Sequence, residues 1–330
     1  MRFYRPLILL ATILALFVVS LGAYVRLSDA GLGCPDWPGC YGHLLGVPEQ
    51  AHEQARALEA FPERPVETHK AWKEMLHRYF AGGLGLLILL IACLAWRHRK
   101  PLGQSPYLAT ALLATVVFQA ALGMWTVTLL LKPVIVSAHL LGGMTTLMLL
   151  VFLLLRQTRQ PTAYGQKATR LFRYLAALSF VLILMQVVLG AWVSSNYAAL
   201  ACGDFPSCQG QWLPEMDFRH AFQLHRELGQ TAEGAWLSQA ALTAIHWTHR
   251  VGALLVFLLA GTFSLLLLRS AVWRAWGAAL FFLLLAQISL GVANVLWSLP
   301  LPLAVAHNTG AALLLIFMVS LNSRLWSSRL

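Results

Sequence analysis

Acidic side chains are absent from most of this sequence. All thirteen Asp and Glu residues lie in two windows, from Asp29 to Glu74 and from Asp204 to Glu233. Charge of either sign is scarce, at 11% of 330 residues, where a soluble protein carries about 25%. That scarcity excludes an ordinary soluble domain. An Arg- and Ser-rich transit segment is also missing, which points to a bacterial inner membrane. What fills the chain instead is apolar. Hydrophobic residues make up 58% of it, gathered into eight runs near 7–26, 78–96, 106–129, 134–155, 171–193, 246–268, 275–297 and 302–322. Runs of about 20 apolar residues cross a bilayer as helices, because lipid offers backbone groups no partner outside the segment.

The net charge of +11 would suit a nucleic-acid partner if it were gathered on one face. It is not. Arg2, Arg5, Arg97, Arg99, Lys100, Arg156, Arg159, Lys167, Arg170, Arg173, Arg269, Arg274, Arg324 and Arg329 occupy the chain ends and the short even-numbered connections. Short basic loops mark the cytoplasmic side of a membrane protein. Both termini are therefore expected in the cytoplasm and both long loops in the periplasm, with membrane lipid as the surroundings and no nucleic acid as partner. The first run, preceded by Arg2 and Arg5, has the outline of a signal peptide. Its ending "LGAYV" at 21–25 recurs as "LGAWV" at 189–193, inside the chain, which favours a retained first span.

That recurrence is part of a duplication. Sliding the sequence by 168 places superposes Gly22 on Gly190, Cys34 on Cys202, Cys40 on Cys208, Gln119 on Gln287, Gly123 on Gly291 and His139 on His307. A four-residue slip in the second long loop then brings "HR" at 77–78 onto "HR" at 249–250. An even number of spans per half makes the repeats parallel. The expected fold is an all-α membrane protein of eight transmembrane helices in two parallel-repeat four-helix bundles. These cover 1–160, with a long outer loop at 27–76, and 165–330, with one at 194–245. Each odd helix carries "LG" near its outer end, at Gly22, Gly123, Gly190 and Gly291, and Gln119, Gln186 and Gln287 precede three of them. Small residues there allow either plain helix packing or the approach of a flat ligand; the glutamines suit interhelical hydrogen bonds.

Of the eleven histidines, His77, His139, His249 and His307 stand apart, each on an even-numbered helix near its outer end. Ionisable groups inside a span mark function by default, and four at matched depth point to ligation. Zinc or copper would call for further Cys, His or carboxylate donors, which the spans offer sparingly. Imidazoles from two facing helices hold haem iron axially, so His77 with His139 and His249 with His307 make two haem-sized sites. Arg78 and Arg250 follow the first histidine of each pair and are candidates for haem propionates through bidentate pairing; interfacial anchoring is the alternative.

The halves differ where the first reads "EMLHR" and the second "HWTHR". Glu74 lies one helical turn before His77, on its face, and is a candidate proton donor or acceptor. Its counterpart is His246, which is not expected to play that part. A solvated glutamate finishing the loop is the other reading. The asymmetry suggests that one site reacts and the other serves.

With "GAYVRLSDAGLGCPDWPGC" at 22–40, "EMLHR" at 74–78, "AHLLGG" at 138–143, "HR" at 249–250 and "AHNTGA" at 306–311, the chain resembles the haem A synthases along essentially its whole length. The resemblance implies oxidation of one methyl group of haem O to a formyl group by successive hydroxylations, giving haem A for terminal oxidases. It places a haem b cofactor on His249 and His307, the substrate haem between His77 and His139, and Glu74 in the reaction. Haem O synthase and the terminal oxidase assembly become the implied partners.

Four cysteines in the long loops allow three pairings; short separation and duplication favour Cys34–Cys40 and Cys202–Cys208, on the oxidising side where disulfides persist. A staple over each site, a redox function, and a metal site from Cys34, Cys40 and His43 are the readings of these residues. Cys93 is expected to serve packing only. Two other functions compete with the synthase: a di-haem b membrane electron-transfer cytochrome, and a membrane thiol oxidoreductase.

Overall fold

Each apolar run becomes one long helix in the computed structural model, which describes residues 3–157 and 169–326. The helices are α1 (Tyr4–Leu27), α2 (Thr68–Arg97), α3 (Tyr107–Thr128), α4 (Pro133–Gln157), α5 (Arg170–Ser195), α6 (Gln239–Leu268), α7 (Arg274–Leu296) and α8 (Leu301–Trp326). All eight are long and apolar enough to cross a membrane, and among the described residues there is no strand beyond isolated bridges. The protein is thus all-helical and multi-pass. Large apolar side chains stay exposed along the shafts, such as Leu86 and Leu90 on α2, Phe118 on α3, Leu254 and Leu258 on α6, and Phe282 on α7. Only lipid makes such a surface favourable. Hydroxyls within the shafts bond back to their own helix, as Thr12 donates to the Ile8 carbonyl at 2.7 Å and Thr146 to that of Gly142 at 2.9 Å, so they cost little in lipid.

Two helices begin well before their apolar runs. Helix α2 starts at Thr68 rather than near 78, and α6 at Gln239 rather than near 246. Hydropathy marks where lipid begins, whereas a helix ends where its hydrogen bonds end. The polar turn "THKAWKEML" continues the α2 ladder, and the Ser238 hydroxyl caps α6 by accepting from the Ala241 amide at 3.1 Å. His77 and His249 consequently sit about two to three turns inside their helices, within a continuous scaffold rather than at a frayed end.

The chain separates into two compact units, residues 1–146 and 147–330, with the dividing point inside α4. In the first, α2 packs against α1 and α3, and α4 reaches α1 where a Cβ on Gly143 would stand 3.6 Å from Val19. In the second, α5 packs on α6 and α8, and α7 packs on the same two helices. Arg2, Arg159, Lys167, Arg329 and the 160–165 boundary lie outside the described residues. Arg173, read as a loop cation, is instead buried, and its Nε donates to the Leu325 carbonyl at 2.9 Å near the end of α8. Cys93 is exposed on the apolar surface of α2, so it is not a core packing residue; its small apolar side chain faces whatever surrounds the helix.

The long loops are ordered structures. In the first, a helix at Ala51–Ala60 opens with a capping box in which the Glu53 carboxylate accepts from the Gln50 amide at 3.0 Å. The second folds around Arg226, which is 2% exposed. It donates to Asn196 Oδ1 at 2.5 Å and to the carbonyls of Gln223 and Gln230, both at 3.2 Å, with Trp192 beneath it.

Candidate functional site

The four span histidines face glycines, and the glycines explain how. A Cβ on Gly22 would stand 2.9 Å from His77 Cε1, on Gly123 3.3 Å from His139 Cε1, on Gly190 3.1 Å from His249 Cε1 and on Gly291 3.1 Å from His307 Cε1. Each imidazole therefore occupies the space that a side chain on the preceding helix would fill. The recurring glycine clears room for the ring itself, a purpose that neither sequence reading of these residues had named. His77 and His139 are near enough to interact electrostatically, as are His249 and His307. His77 and His139 lie in the first unit, His249 and His307 in the second.

The glutamines hold the histidine backbones. Gln186 Nε2 donates to the His249 carbonyl at 2.9 Å, and Gln287 Nε2 to that of His307 at 3.0 Å. Gln186 Nε2 also lies 3.0 Å from His249 Nδ1. A second glycine, one turn past each histidine, makes way for the amide: a Cβ on Gly142, Gly252 or Gly310 would collide with Gln119, Gln186 or Gln287 respectively. His77 departs from this pattern. Phe80 stands one turn beyond it and Val18 takes the glutamine's place in the sequence of α1, with Phe80 packed edge-on against Phe17 at 4.9 Å.

Several polar atoms around the histidines are buried without a hydrogen-bond partner among the described residues: Nδ1 of His77, His139 and His307, Nε2 of Gln119, and Oε1 of Gln186 and Gln287. A buried unpaired polar atom costs about 1–3 kcal/mol, so this concentration marks an environment that a ligand completes. Among the described residues no three His, Cys, Asp or Glu side chains converge as a metal site. Paired imidazoles with glycine-cleared flanks fit a flat iron porphyrin with axial ligands better than a bare ion.

Both expected disulfides are formed, Cys34–Cys40 and Cys202–Cys208. The first excludes a metal site built from Cys34, Cys40 and His43, because both sulfurs are already bonded. The two loops share one construction. Asp36 accepts from the amides of Tyr41 at 2.6 Å and Gly42 at 2.9 Å; Asp204 accepts from those of Gln209 at 2.6 Å and Gly210 at 3.0 Å. In each turn two successive residues have positive φ, Tyr41 and Gly42 in one, Gln209 and Gly210 in the other, which is why glycine takes the second place. The Ser207 hydroxyl, then the Gly210 amide, lower the Asp204 carboxyl to about 2. Because the folded value is depressed, this bonding is intact above the ordinary value of 3.8 and is lost as pH falls toward 2.

The first loop packs on the opening turns of α2, where Cys34, Cys40, Tyr41 and Val47 join Ala71 and Met75 in one buried cluster. Glu74 lies under it, 5% exposed, which overturns the reading of a solvated loop glutamate. Arg78 NH2 donates to Glu74 Oε1 at 2.5 Å, while its NH1 donates to the carbonyls of Asp36 at 3.0 Å, Pro38 at 3.3 Å and Gly39. In the second loop, Arg250 donates to the carbonyls of Ser207 at 2.8 Å and Cys202 at 2.9 Å. Both arginines, candidates for propionates, are thus placed against the disulfide loops. His246, also 5% exposed, was not among the site residues read from sequence; its alignment with Glu74 was the available signal.

The COX15-CtaA family, described as cytochrome oxidase assembly proteins, matches residues 5–319. A heme A synthase of Shewanella oneidensis is 43% identical over 320 residues, covering 97% of this chain and 96% of that protein. Heme A synthases of a Chelativorans species and of Shouchella clausii are 28% and 26% identical, over 96% and 71% of this chain and 89% and 72% of their own lengths.

Proposed function

The chain belongs to the COX15-CtaA family of cytochrome oxidase assembly proteins, among the haem A synthases, and from that premise we propose that it oxidises the methyl group of haem O to a formyl group. This is a four-electron oxidation: each of two hydroxylations replaces one C–H bond by C–OH and withdraws two electrons from the carbon, which an external oxidant must accept, and loss of water from the resulting gem-diol leaves the aldehyde. The observation that carries the reading is the two buried imidazoles in each unit, each lodged against a glycine, together with the unpaired buried atoms of His77, His139, His307, Gln119, Gln186 and Gln287.

In this reading the two units are repeated four-helix bundles with divided labour. His77 and His139 hold the substrate haem, and Glu74, within the same unit, moves protons at the reacting methyl. His249 and His307 hold haem b, which supplies electron transfer when bound. Gln186 and Gln287 fix the backbones of His249 and His307, and so would orient the two imidazoles that would hold the haem. Arg78 and Arg250 tie the disulfide loops down through their carbonyls and would offer their guanidinium groups to haem propionates. The membrane is the bacterial inner membrane, with both loops periplasmic, and haem O synthase and the assembling terminal oxidase are the partners.

The test is extraction of haem from purified protein, with and without a haem O-producing enzyme in the same cell. Haem b together with haem O or haem A is expected when haem O is supplied. Haem b alone under that supply would make the protein a di-haem electron carrier instead.

The thiol oxidoreductase reading is tested by Cys→Ser replacement at Cys34, Cys40, Cys202 and Cys208 together. A disulfide closing a small loop contributes about 2–4 kcal/mol, so the staple reading predicts a lower unfolding temperature and weaker haem retention, with turnover per loaded protein preserved. A folded, fully loaded and inactive variant would transfer the function to the thiols.

A further inference from the structure

Glu74 and His246 occupy aligned positions, and the structure gives them two kinds of neighbour in common, the first cysteine's amide and the arginine one turn on, while Glu74 also bonds the Gly33 backbone and His246 that of Ala198. Glu74 Oε2 accepts from the Cys34 amide at 3.0 Å, and its Oε1 accepts from Arg78 at 2.5 Å. His246 Nδ1 lies 3.4 Å from the Cys202 amide, and its Nε2 lies 3.2 Å from Arg250 Nε. In both loops, then, one residue of the helix reaches the first cysteine's amide and the arginine one turn further on. That arginine in turn binds carbonyls of the same loop.

We propose that residues 74 and 246 are equivalent positioning residues, each latching its disulfide loop through the amide of the first cysteine, and that the carboxylate makes the latch at Cys34 the firmer of the two. The chemistry of the two acceptors sets the difference. A carboxylate offers about four lone-pair sites and accepts both bonds at once; a neutral imidazole has one lone pair in its plane and accepts one at a time. Hydrogen bonds with an ionised partner are also roughly twice as strong as neutral ones. Backbone spacing follows the same order. Gly33 lets the first loop lie directly on α2, since a Cβ there would stand 2.6 Å from the Lys70 carbonyl carbon. Ala201, its aligned counterpart, carries a buried side chain, and the second contact is correspondingly longer.

The latch adds to the function proposed for Glu74 and is separable from it. A proton-transferring group must be a carboxylate, whereas a latch needs only acceptors, and position 246 shows a histidine in that place. If the substrate haem binds between His77 and His139, an unlatched loop raises the haem O concentration needed for half-saturation, while loss of proton transfer lowers the maximal rate.

The experiment is amide hydrogen exchange on the full-length protein in detergent, followed at segments 33–41 and 201–209, for wild type, Glu74→His, Glu74→Asp and His246→Glu. In wild type the Cys34 amide is expected to exchange more slowly than that of Cys202. Glu74→His should speed exchange at 33–41 about tenfold, toward the rate at 201–209, and Glu74→Asp should restore most of the protection. His246→Glu should slow exchange at 201–209 and serves as an independent arm if Glu74→His fails to fold. Haem O titrations of the same variants should show half-saturation rising about tenfold in Glu74→His and recovering in Glu74→Asp. Unchanged exchange at both segments in both swaps would overturn the latch, whatever the activity. Lost protection at full maximal rate would uphold the latch and remove Glu74 from the chemistry.

Discussion

Alanine at His249 or His307 is expected to strip haem b from the C-terminal unit almost completely. Both rings are lodged against glycines, Gly190 and Gly291, which carry no side chain that could take a lost ligand's place, and a Cβ there would stand 3.1 Å from each ring. The glutamine bonds run to the histidine backbone carbonyls, at 2.9 and 3.0 Å, and survive the substitution. The helices should therefore keep their places while the iron loses an axial nitrogen. A ligand present at one hundred times its dissociation constant stabilises the folded state by about 2.7 kcal/mol, and that contribution should vanish with the haem. The measurements are the low-spin haem b absorbance, the haem-to-protein ratio and the unfolding temperature, with free imidazole added to a His249→Gly variant as rescue. Full low-spin spectra in both alanine variants would remove the assignment. Recovery by imidazole separates ligation from packing, because packing alone gains nothing from an iron ligand.

The parts of this protein legible in its sequence are those written in local pattern. Eight apolar runs became eight helices, and the short Cys-to-Cys separation became two disulfides. The starts of α2 and α6 were not legible, because a polar turn such as "THKAWKEML" is silent on whether its backbone stays helical. The duplication revealed that the "LG" glycines recur, but not what they face; only the three-dimensional packing shows imidazole rings in the space they leave. The bonds of Glu74 and Arg78 to the first loop join residues about 40 apart in sequence, one partner being a backbone amide or carbonyl. No residue type signals such a contact. The same blindness hid Arg226, a residue that is exposed by default yet here is the buried centre of the second loop. It also hid the equivalence of Glu74 and His246, since a change from carboxylate to imidazole reads as loss of a function when the alignment alone is considered. Both side chains lie beside the first cysteine's amide and the following arginine, and they differ in charge and in the number of lone pairs they offer.

That difference leads to the second large effect. Glu74→Gln removes the charge and the titratable proton while keeping the shape of the side chain, and formyl product is expected to fall by about 10²–10⁴ if the residue acts as acid or base. Glutamine retains a single carbonyl acceptor, so either the Cys34 amide at 3.0 Å or Arg78 keeps its partner, but not both. Some loosening of the first loop accompanies the substitution, and it must be separated from the chemistry. Saturating haem O does so, because a loosened loop is overcome by substrate concentration whereas a missing proton carrier is not. The haem b spectrum should be undisturbed, since its proposed ligands, His249 and His307, belong to the other unit. A stalled alcohol is expected to accumulate if the second oxidation depends on the carboxylate more than the first. His246→Gln is the matched control: it perturbs the equivalent latch at the serving site and should reduce product far less. Haem extraction and chromatography on both variants, expressed with a supply of haem O, read all of these outcomes together. Wild-type haem A from Glu74→Gln at saturating substrate would leave Glu74 with the latch alone, and the division of labour between the two units would then have to rest on another difference, such as Phe80 and Val18 where the other three histidines have glycine and glutamine.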